Sequence, residues 1–260
     1  MPNFYHFNRK KISMPQAERS ETKYQAPAVI RTMAEFNRYL SRDFLGGPKK
    51  IPLAWVINFQ KGGTLLFVLG LMWYFNNYAT EAWVYLALHG SYGLCWLLKD
   101  LAFPDKSWME KVTLGGAIMS FLLVLGPYWV FPFLLISGVQ GPSQPEASGF
   151  LIFLVTFLYV LGVVIMIASD AQKYFTLKYR KGLITEGMHR YIRHPNYLGE
   201  MLVYGAFALL VQHWIPWAIL GYIWICLFLV NMLMKEASMS RYPEWQAYKR
   251  RTGMLLPKFW

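Results

Sequence analysis

Apolar residues follow one another in long unbroken runs rather than in a helical or strand alternation. Six runs approach or exceed the length needed to cross roughly 30 Å of hydrocarbon, near residues 62–79, 81–103, 112–138, 149–168, 197–213 and 214–234. The pattern predicts an all-α, polytopic integral membrane protein of about six transmembrane helices. The third run is overlong and carries Pro127 and Pro132, so it is expected to kink or re-enter the membrane. The fifth and sixth runs are separated by a short turn around His213-Trp214-Ile215-Pro216, which predicts a tight helical hairpin. Ahead of the first run, Gly46-Gly47-Pro48 marks a loop.

Composition agrees with this pattern. Hydrophobic residues make up 55% of the 260 positions and charged residues 15%, well below the usual charged share of a soluble domain. The 11 Trp, 17 Tyr and 18 Phe suit a protein with two membrane interfaces. Cys95 and Cys226 both fall in apolar runs, in no CxxC or zinc-like spacing, so neither a disulfide framework nor a metal site is expected.

The net charge of +12 raises the question of nucleic acid, and the distribution of the charge answers it. Residues 1–55 hold ten basic and four acidic residues; the segments 99–111 and 170–194 and the tail after 234 are also rich in Lys and Arg. The connections around Asn76–Glu81, Val139–Ser148 and His213 have none. These two classes alternate through all six runs, so the positive-inside rule predicts both termini on the cytoplasmic side. The expected organisation is a cytoplasmic basic arm over 1–55 and a membrane domain over 56–260. Met1–Leu53 has no apolar core of a signal peptide, and Arg9-Lys10-Lys11 reads as part of a solvated arm. The tail from Lys235 to Arg251 interleaves bases with aromatics, which beside a membrane predicts a surface helix or a lid over the cytoplasmic mouth. No nucleic-acid partner is expected. The expected partners are the bilayer and a hydrophobic lipid substrate, in an internal membrane such as the endoplasmic reticulum if the cell is eukaryotic and the inner membrane if it is bacterial.

Polar groups in or beside hydrocarbon are costly and are functional candidates by default. The strongest cluster is Gly187-Met188-His189-Arg190-Tyr191-Ile192-Arg193-His194-Pro195-Asn196-Tyr197-Leu198-Gly199-Glu200, at the start of the fifth run. Pro195 is a good first helical residue, and a helix N-terminus beside Arg190, Arg193 and His194 makes a bed for an anion such as a phosphate. Asn196 and Glu200 are four apart and share a face. A second cluster, Ser169-Asp170-Ala171-Gln172-Lys173 with Lys178, follows the fourth run. A third lies in the second run, where His89 and Tyr92 are three apart on one face.

From about Ser169 to Trp260 the chain resembles the C-terminal half of the membrane steroid 5α-reductase and sterol reductase superfamily. That superfamily also includes isoprenylcysteine carboxyl methyltransferases and phospholipid methyltransferases. The resemblance rests on Arg193-His194-Pro195-Asn196-Tyr197-Leu198-Gly199-Glu200, the hairpin after it, and a Tyr-x-x-Trp-x-x-Tyr tail with Arg250-Arg251-Thr252 and Pro257. It implies a cofactor-binding region over 169–260. The acid at Glu200 and the element Asp170-Ala171-Gln172-Lys173 are similar to the reductases, and the resemblance then implies NADPH binding by Asp170, Lys178, Arg193, His194, Asn196, Tyr197 and Glu200. The methyltransferases instead carry paired glutamates where this chain has Lys235-Glu236-Ala237. One departure is that the reductases place a catalytic Tyr directly after a His in an early span, where this chain has Gly90 after His89.

The leading expectation is an NADPH-dependent reductase acting on a C=C bond of a lipid, sterol or polyprenoid. Tyr92 assisted by His89, with Glu200, would be the catalytic group. The alternative is an S-adenosylmethionine-dependent methyltransferase of a lipid or isoprenylcysteine, in which Glu236 gains importance. A non-catalytic membrane subunit that keeps the fold, with Gly90 as its mark, is the third reading.

Overall fold

The computed structural model describes residues 24–139 and 146–258. Arg9-Lys10-Lys11 lies outside the described residues. The order along the chain is α1 (Ala28–Arg42), β1 (Ile51–Pro52), α2 (Leu53–Tyr74), α3 (Thr80–Ala102), β2 (Lys111–Val112), α4 (Leu114–Ile136), α5 (Gly149–Tyr179), α6 (Pro195–Val211), α7 (Trp214–Met239) and α8 (Trp245–Arg251).

Four of these helices, α2, α4, α5 and α7, are long and apolar enough to cross a membrane, and they indicate a membrane protein. Their outer faces support that indication, because α5 exposes Phe150, Phe153, Phe157, Val160 and Val164, side chains that hydrocarbon solvates and water does not. The other two helices fall at the second and fifth apolar runs. α6 has only 17 residues, and α3 carries Glu81, His89, Lys99 and Asp100. α2, the helix of the first apolar run, ends at Tyr74 and begins at Leu53, nine residues before the expected start at 62. Pro52 precedes it, fixing the chain in an extended turn.

Caps and breaks explain the boundaries. The Thr113 hydroxyl accepts from the Gly116 N–H at 3.0 Å to start α4, and Ser148 accepts from Leu151 at 3.2 Å to start α5. α6 opens on Pro195 and stops at Gln212, whose φ is 52°. His213 then caps α7, its Nδ1 accepting from the Ile215 N–H at 3.1 Å, so the predicted hairpin forms across two residues. The irregular third run resolves into a π-helical stretch, Phe121–Leu125, followed by a 3-10 turn at Gly126–Trp129 around Pro127. α7 contains a second π-helical stretch at Trp224–Leu229.

Two pairs of helices approach through glycine. A side chain at Gly199 of α6 would meet the Gly162 carbonyl of α5 at 2.6 Å. Gly93 of α3 lies directly against the Lys61 carbonyl of α2, and a Cβ at Gly90 would strike Leu65 at 2.5 Å. Small residues at such crossings let backbones pack closely where no hydrophobic driving force separates lipid from protein. The core between these helices is aromatic: Tyr85, Tyr92, Phe131, Tyr204 and Phe207 are all fully buried.

The basic arm differs from its expectation over 28–42, where α1 forms and packs on α4 and α7. The Asn37 amide donates to the Cys226 carbonyl at 2.8 Å, and Ser120 donates to the Ser41 carbonyl at 3.3 Å. β1 and β2 pair antiparallel, with Ile51 opposite Val112, and tie the starts of α2 and α4 together.

Candidate functional site

Ion pairs gather the predicted polar segments at one end of the helices. Lys99 at the end of α3 binds Asp170 of α5 at 2.8 Å, Lys173 one turn on binds Asp105 at 3.2 Å, and Arg42 pairs with Glu110. Burial would raise the Asp105 carboxyl, but Lys173 and the hydrogen bonds from Ser107 outweigh it and draw the group down to about 2.

A cavity of about 710 Å³ opens beside these pairs. Its polar lining comes from Asp105, Asp170, Lys173, Asn196, Asn231 and Lys235. Its apolar lining includes the two π-helical stretches, with Leu123, Val124 and Leu125 on α4 and Leu227 and Phe228 on α7, together with Leu53, Ile57, Trp96 and Trp108. α1 contributes Asn37, Arg38 and Ser41. Asn196, Glu200 and Tyr204 repeat every four residues on α6 and all three line the cavity, as an i, i+4 stripe must. Tyr197 also reaches it, its hydroxyl accepting from Lys235 Nζ at 3.0 Å.

Lys61 also lines the cavity, and the sequence reading missed it. Its side chain is buried, with the residue only 4% exposed. The ammonium donates to the Tyr92 hydroxyl at 3.3 Å and to the Tyr204 hydroxyl. It also sits 4.6 Å from the centre of the Tyr92 ring, 4.8 Å from Trp96 and 4.8 Å from Tyr204. The close crossing at Gly93 holds the α2 backbone where this reach is possible. A first span beginning at 62 leaves Lys61 just outside it; because α2 begins at Leu53, the residue lies about two turns inside. A lone Lys within an apolar helix was the available signal.

The nominated residues divide. Asp170, Asn196, Tyr197 and Glu200 line the cavity, whereas Lys178, Arg193, His194, Glu236, Tyr92 and His89 are not among its lining side chains. Lys178 is exposed, with its ammonium 5.4 Å from the Tyr179 ring. Tyr92 lies just behind Lys61, and its hydroxyl donates weakly to Met166 Sδ at 3.7 Å. The Tyr92 hydroxyl bonds with Lys61, whereas its contact with His89 is ring to ring, with centroids 6.3 Å apart. The His89 Nδ1 shares a 2.8 Å hydrogen bond with the Tyr85 hydroxyl, and its ring stacks on Phe207 at 4.3 Å. That places His89 in the aromatic core.

Arg193 and His194, expected to bed an anion, instead hold the tail. Arg193 is buried, and its Nε donates to Glu236 at 2.6 Å. Its Nη1 reaches the Thr252 carbonyl, the Thr252 hydroxyl at 3.3 Å and the Lys249 carbonyl at 3.5 Å. An arginine spreads donors in a fixed fork, and here Nε meets Glu236 while Nη1 meets the end of α8 and the residue after it. His194 Nε2 lies 3.7 Å from the same Glu236 oxygen, and burial holds its imidazole below the ordinary histidine range. His189 is likewise pushed down by burial. The tail itself is anchored by the buried Trp245 and Tyr248, the Tyr248 hydroxyl donating to the His189 carbonyl at 2.7 Å. A parallel bridge joins Ile192 to Gly253. The tail therefore packs on the loop before α6. Among the described residues there is no cluster of His, Cys, Asp or Glu that would hold a metal.

Comparison with known proteins adds two matches. The model of a family described as "Protein of unknown function (DUF1295)" matches residues 109–252, which takes in α4 to α8. An uncharacterized protein of Schizosaccharomyces pombe is 25% identical over 162 residues. That match covers 62% of this chain and 55% of the yeast protein, so it spans about half the length of that relative.

Proposed function

We propose, for a chain that belongs to the DUF1295 family of proteins of unknown function, that it is a membrane-embedded, NADPH-dependent reductase of a C=C bond in a lipid, sterol or polyprenoid. The observation that carries this reading is a cavity lined both by charged side chains and by apolar ones, the π-helical stretches of α4 and α7 among them. A water-soluble anionic cofactor and an apolar substrate need such a shared space if a hydride is to pass between them. Asp170, Asn196, Tyr197 and Glu200, together with Lys173 and Lys235, are the side chains that would hold the cofactor. The nicotinamide supplies the hydride. The residues of the chain orient the acceptor, shield it from water and deliver a proton, for which the Tyr204 and Tyr92 hydroxyls on Lys61 are the available donors.

This reading takes the membrane steroid 5α-reductase and sterol reductase superfamily as the wider relationship. It also takes all six long helices as spans, with both termini cytoplasmic. The ion pairs that join 99–110 to 170–173 favour that orientation, because they collect basic segments at one end. The methyl-transfer alternative leans on Glu236, and Glu236 is engaged with Arg193, His194 and Lys249 in holding the tail. Gly90, the mark of the non-catalytic reading, has a packing reason, since any side chain there would strike Leu65.

Thermal unfolding of the purified protein, titrated separately with NADPH and S-adenosylmethionine, tests the proposal. A ligand that binds the folded state raises the melting temperature by mass action. NADPH is expected to do so; a response to S-adenosylmethionine alone would overturn the reductase reading, and a response to neither would favour the non-catalytic one.

A further inference from the structure

α1 has no fully buried residue, and the side chains it leaves uncovered are of two kinds. Val29 and Phe36, two turns apart on one face, are 64% and 59% exposed. Arg31 and Arg38, also two turns apart, are exposed on another face. At about 100° per residue, the exposed positions run round the helix in the order Arg38, Arg31, Glu35, Tyr39, Phe36, Val29. Ile30, Ala34, Asn37 and Ser41 take the opposite side, half-buried where α1 packs on α4 and α7. The outer surface of α1 therefore grades from cationic at one edge to hydrocarbon at the other, with Tyr39 between them. α1 also lies at the end of the molecule that carries the basic segments, because Arg42 pairs with Glu110 and Ser240 donates to the Tyr24 carbonyl at 3.2 Å. There the basic edge continues across a recess of about 290 Å³ to Arg241; Tyr24, Gln25 and Ser240 help to line it, and among the described residues no carboxylate does. Arg31, Arg38 and Arg241 form no ion pair among the described residues.

We propose that α1 is an interfacial helix seated on an anionic leaflet, with Val29 and Phe36 at the acyl boundary and Arg31, Arg38 and Arg241 on lipid phosphates. A helix with one apolar and one basic edge binds that boundary through buried apolar area together with attraction to anionic lipid. Guanidinium forks take phosphate oxygens in pairs. An apolar protein partner would leave the arginines unmatched, and an acidic soluble one would leave Val29 and Phe36 in water. An anionic phospholipid answers both edges at once, and the apolar helices beside α1 already call for a bilayer. Tyr39 falls between the edges, at the depth where an aromatic ring with a polar tip is most at home. The same helix gives the cavity Ala34, Asn37 and Ser41, so the leaflet steadies one of the cavity's walls. The seating holds whatever ligand the cavity takes, and it is independent of the reductase reading.

Depth measurements on the full chain in nanodiscs test the seating. The free Cys95 and Cys226 are changed to Ala, and a single nitroxide is placed at Phe36→Cys or at Glu35→Cys. The discs hold phosphatidylcholine alone or phosphatidylcholine mixed with phosphatidylserine. Electron paramagnetic resonance then compares collisions with oxygen, which concentrates in hydrocarbon, and with a nickel chelate, which stays in water. In mixed discs the label at 36 is expected to favour oxygen and the label at 35 to favour nickel. A label at 36 that favours nickel would overturn the proposal. So would one shielded from both reagents, which would mean that a second copy or another protein covers this face. The choice of an anionic lipid has its own reading. Immersion at 36 should rise with the phosphatidylserine fraction and fall with added salt. Arg31→Gln with Arg38→Gln should lower the ratio of seated to unseated helix roughly five-fold for each charge removed. Immersion indifferent to phosphatidylserine, to salt and to the two substitutions would overturn the anionic assignment. Both arginines are exposed, and the salt series makes the same test on the natural charges.

Discussion

Replacing Glu236 by Gln removes one charge from a buried pair and leaves the other in place. The Arg193 and Glu236 side chains are 6% and 2% exposed and 2.6 Å apart, so neither can turn to water when its partner is lost. Breaking such a pair costs on the order of 3–5 kcal/mol, most of it the penalty on the stranded charge. Arg193 keeps its bonds to the Thr252 and Lys249 carbonyls, which places the expected loss at the lower end, about 3 kcal/mol. The loss should be local, because the pair holds the chain after α8 against the loop before α6. About 3 kcal/mol corresponds to a rise of roughly a hundred-fold in the undocked tail. Trypsin at limiting concentration reads that population, since Lys249, Arg250 and Arg251 are protected only while the tail is docked and cleavage follows the open fraction. Arg193→Met combined with Glu236→Gln strands no charge and should recover part of the loss, giving a clear interaction energy in a double-mutant cycle. Cleavage of Glu236→Gln within about two-fold of the natural protein, or effects of the two changes that simply add, would refute the account of Arg193 as an anchor.

Other outcomes follow from the same geometry. Gly199→Ala puts a Cβ 2.6 Å from the Gly162 carbonyl and the Met166 nitrogen, both backbone atoms, and should lower stability by about 1–3 kcal/mol in thermal unfolding. Gly62→Ala meets only the flexible end of Leu97, at 3.0 Å, and should be milder; equal effects would contradict the packing argument. Asp105 is held down to about 2 against an ordinary 3.8, so the folded protein binds fewer protons there than the unfolded chain. Its contribution to stability is full above the ordinary value and is lost as pH falls through that window. Lys173→Met should flatten this part of the stability profile measured against pH. Glu200→Gln should weaken the NADPH response in thermal titration while leaving the tail resistant to trypsin; an unchanged response would remove Glu200 from the cofactor site.

Much of the arrangement was written in local pattern. The hairpin between α6 and α7 followed from the His213–Pro216 turn, and the interruption of the third run followed from Pro127. The Asn196–Glu200 stripe followed from four-residue spacing alone, because a helix face is fixed by period. Asp170 was legible as a charge at a helix exit. What the pattern hid were matters of partnership between distant segments. Arg193 in a basic motif reads as an anion binder until Glu236 and Thr252, both more than forty residues away, are seen to occupy its donors. Lys61 reads as a flank unless the helix is known to start at Leu53. α1 is amphipathic but short and basic, and only its docking on α4 and α7 makes it a wall of the cavity. The contact of Tyr92 with Lys61 was hidden too, because His89 shares its helix whereas Lys61 arrives from another.

The π-helical stretch at Trp224–Leu229 sets a phase as well as a shape. One surplus residue in a helix turns everything after it by about 100° relative to what came before. Upstream of it, Leu220 and Ile223 are buried in the core; downstream, Asn231 and Lys235 line the cavity and Glu236 meets Arg193. Deleting a single leucine there would leave the hydropathy of α7 almost untouched, yet it would swing those three polar side chains out of alignment together. In this helix the number of residues carries information that their chemistry does not, so a change of length is a harsher lesion than a change of kind.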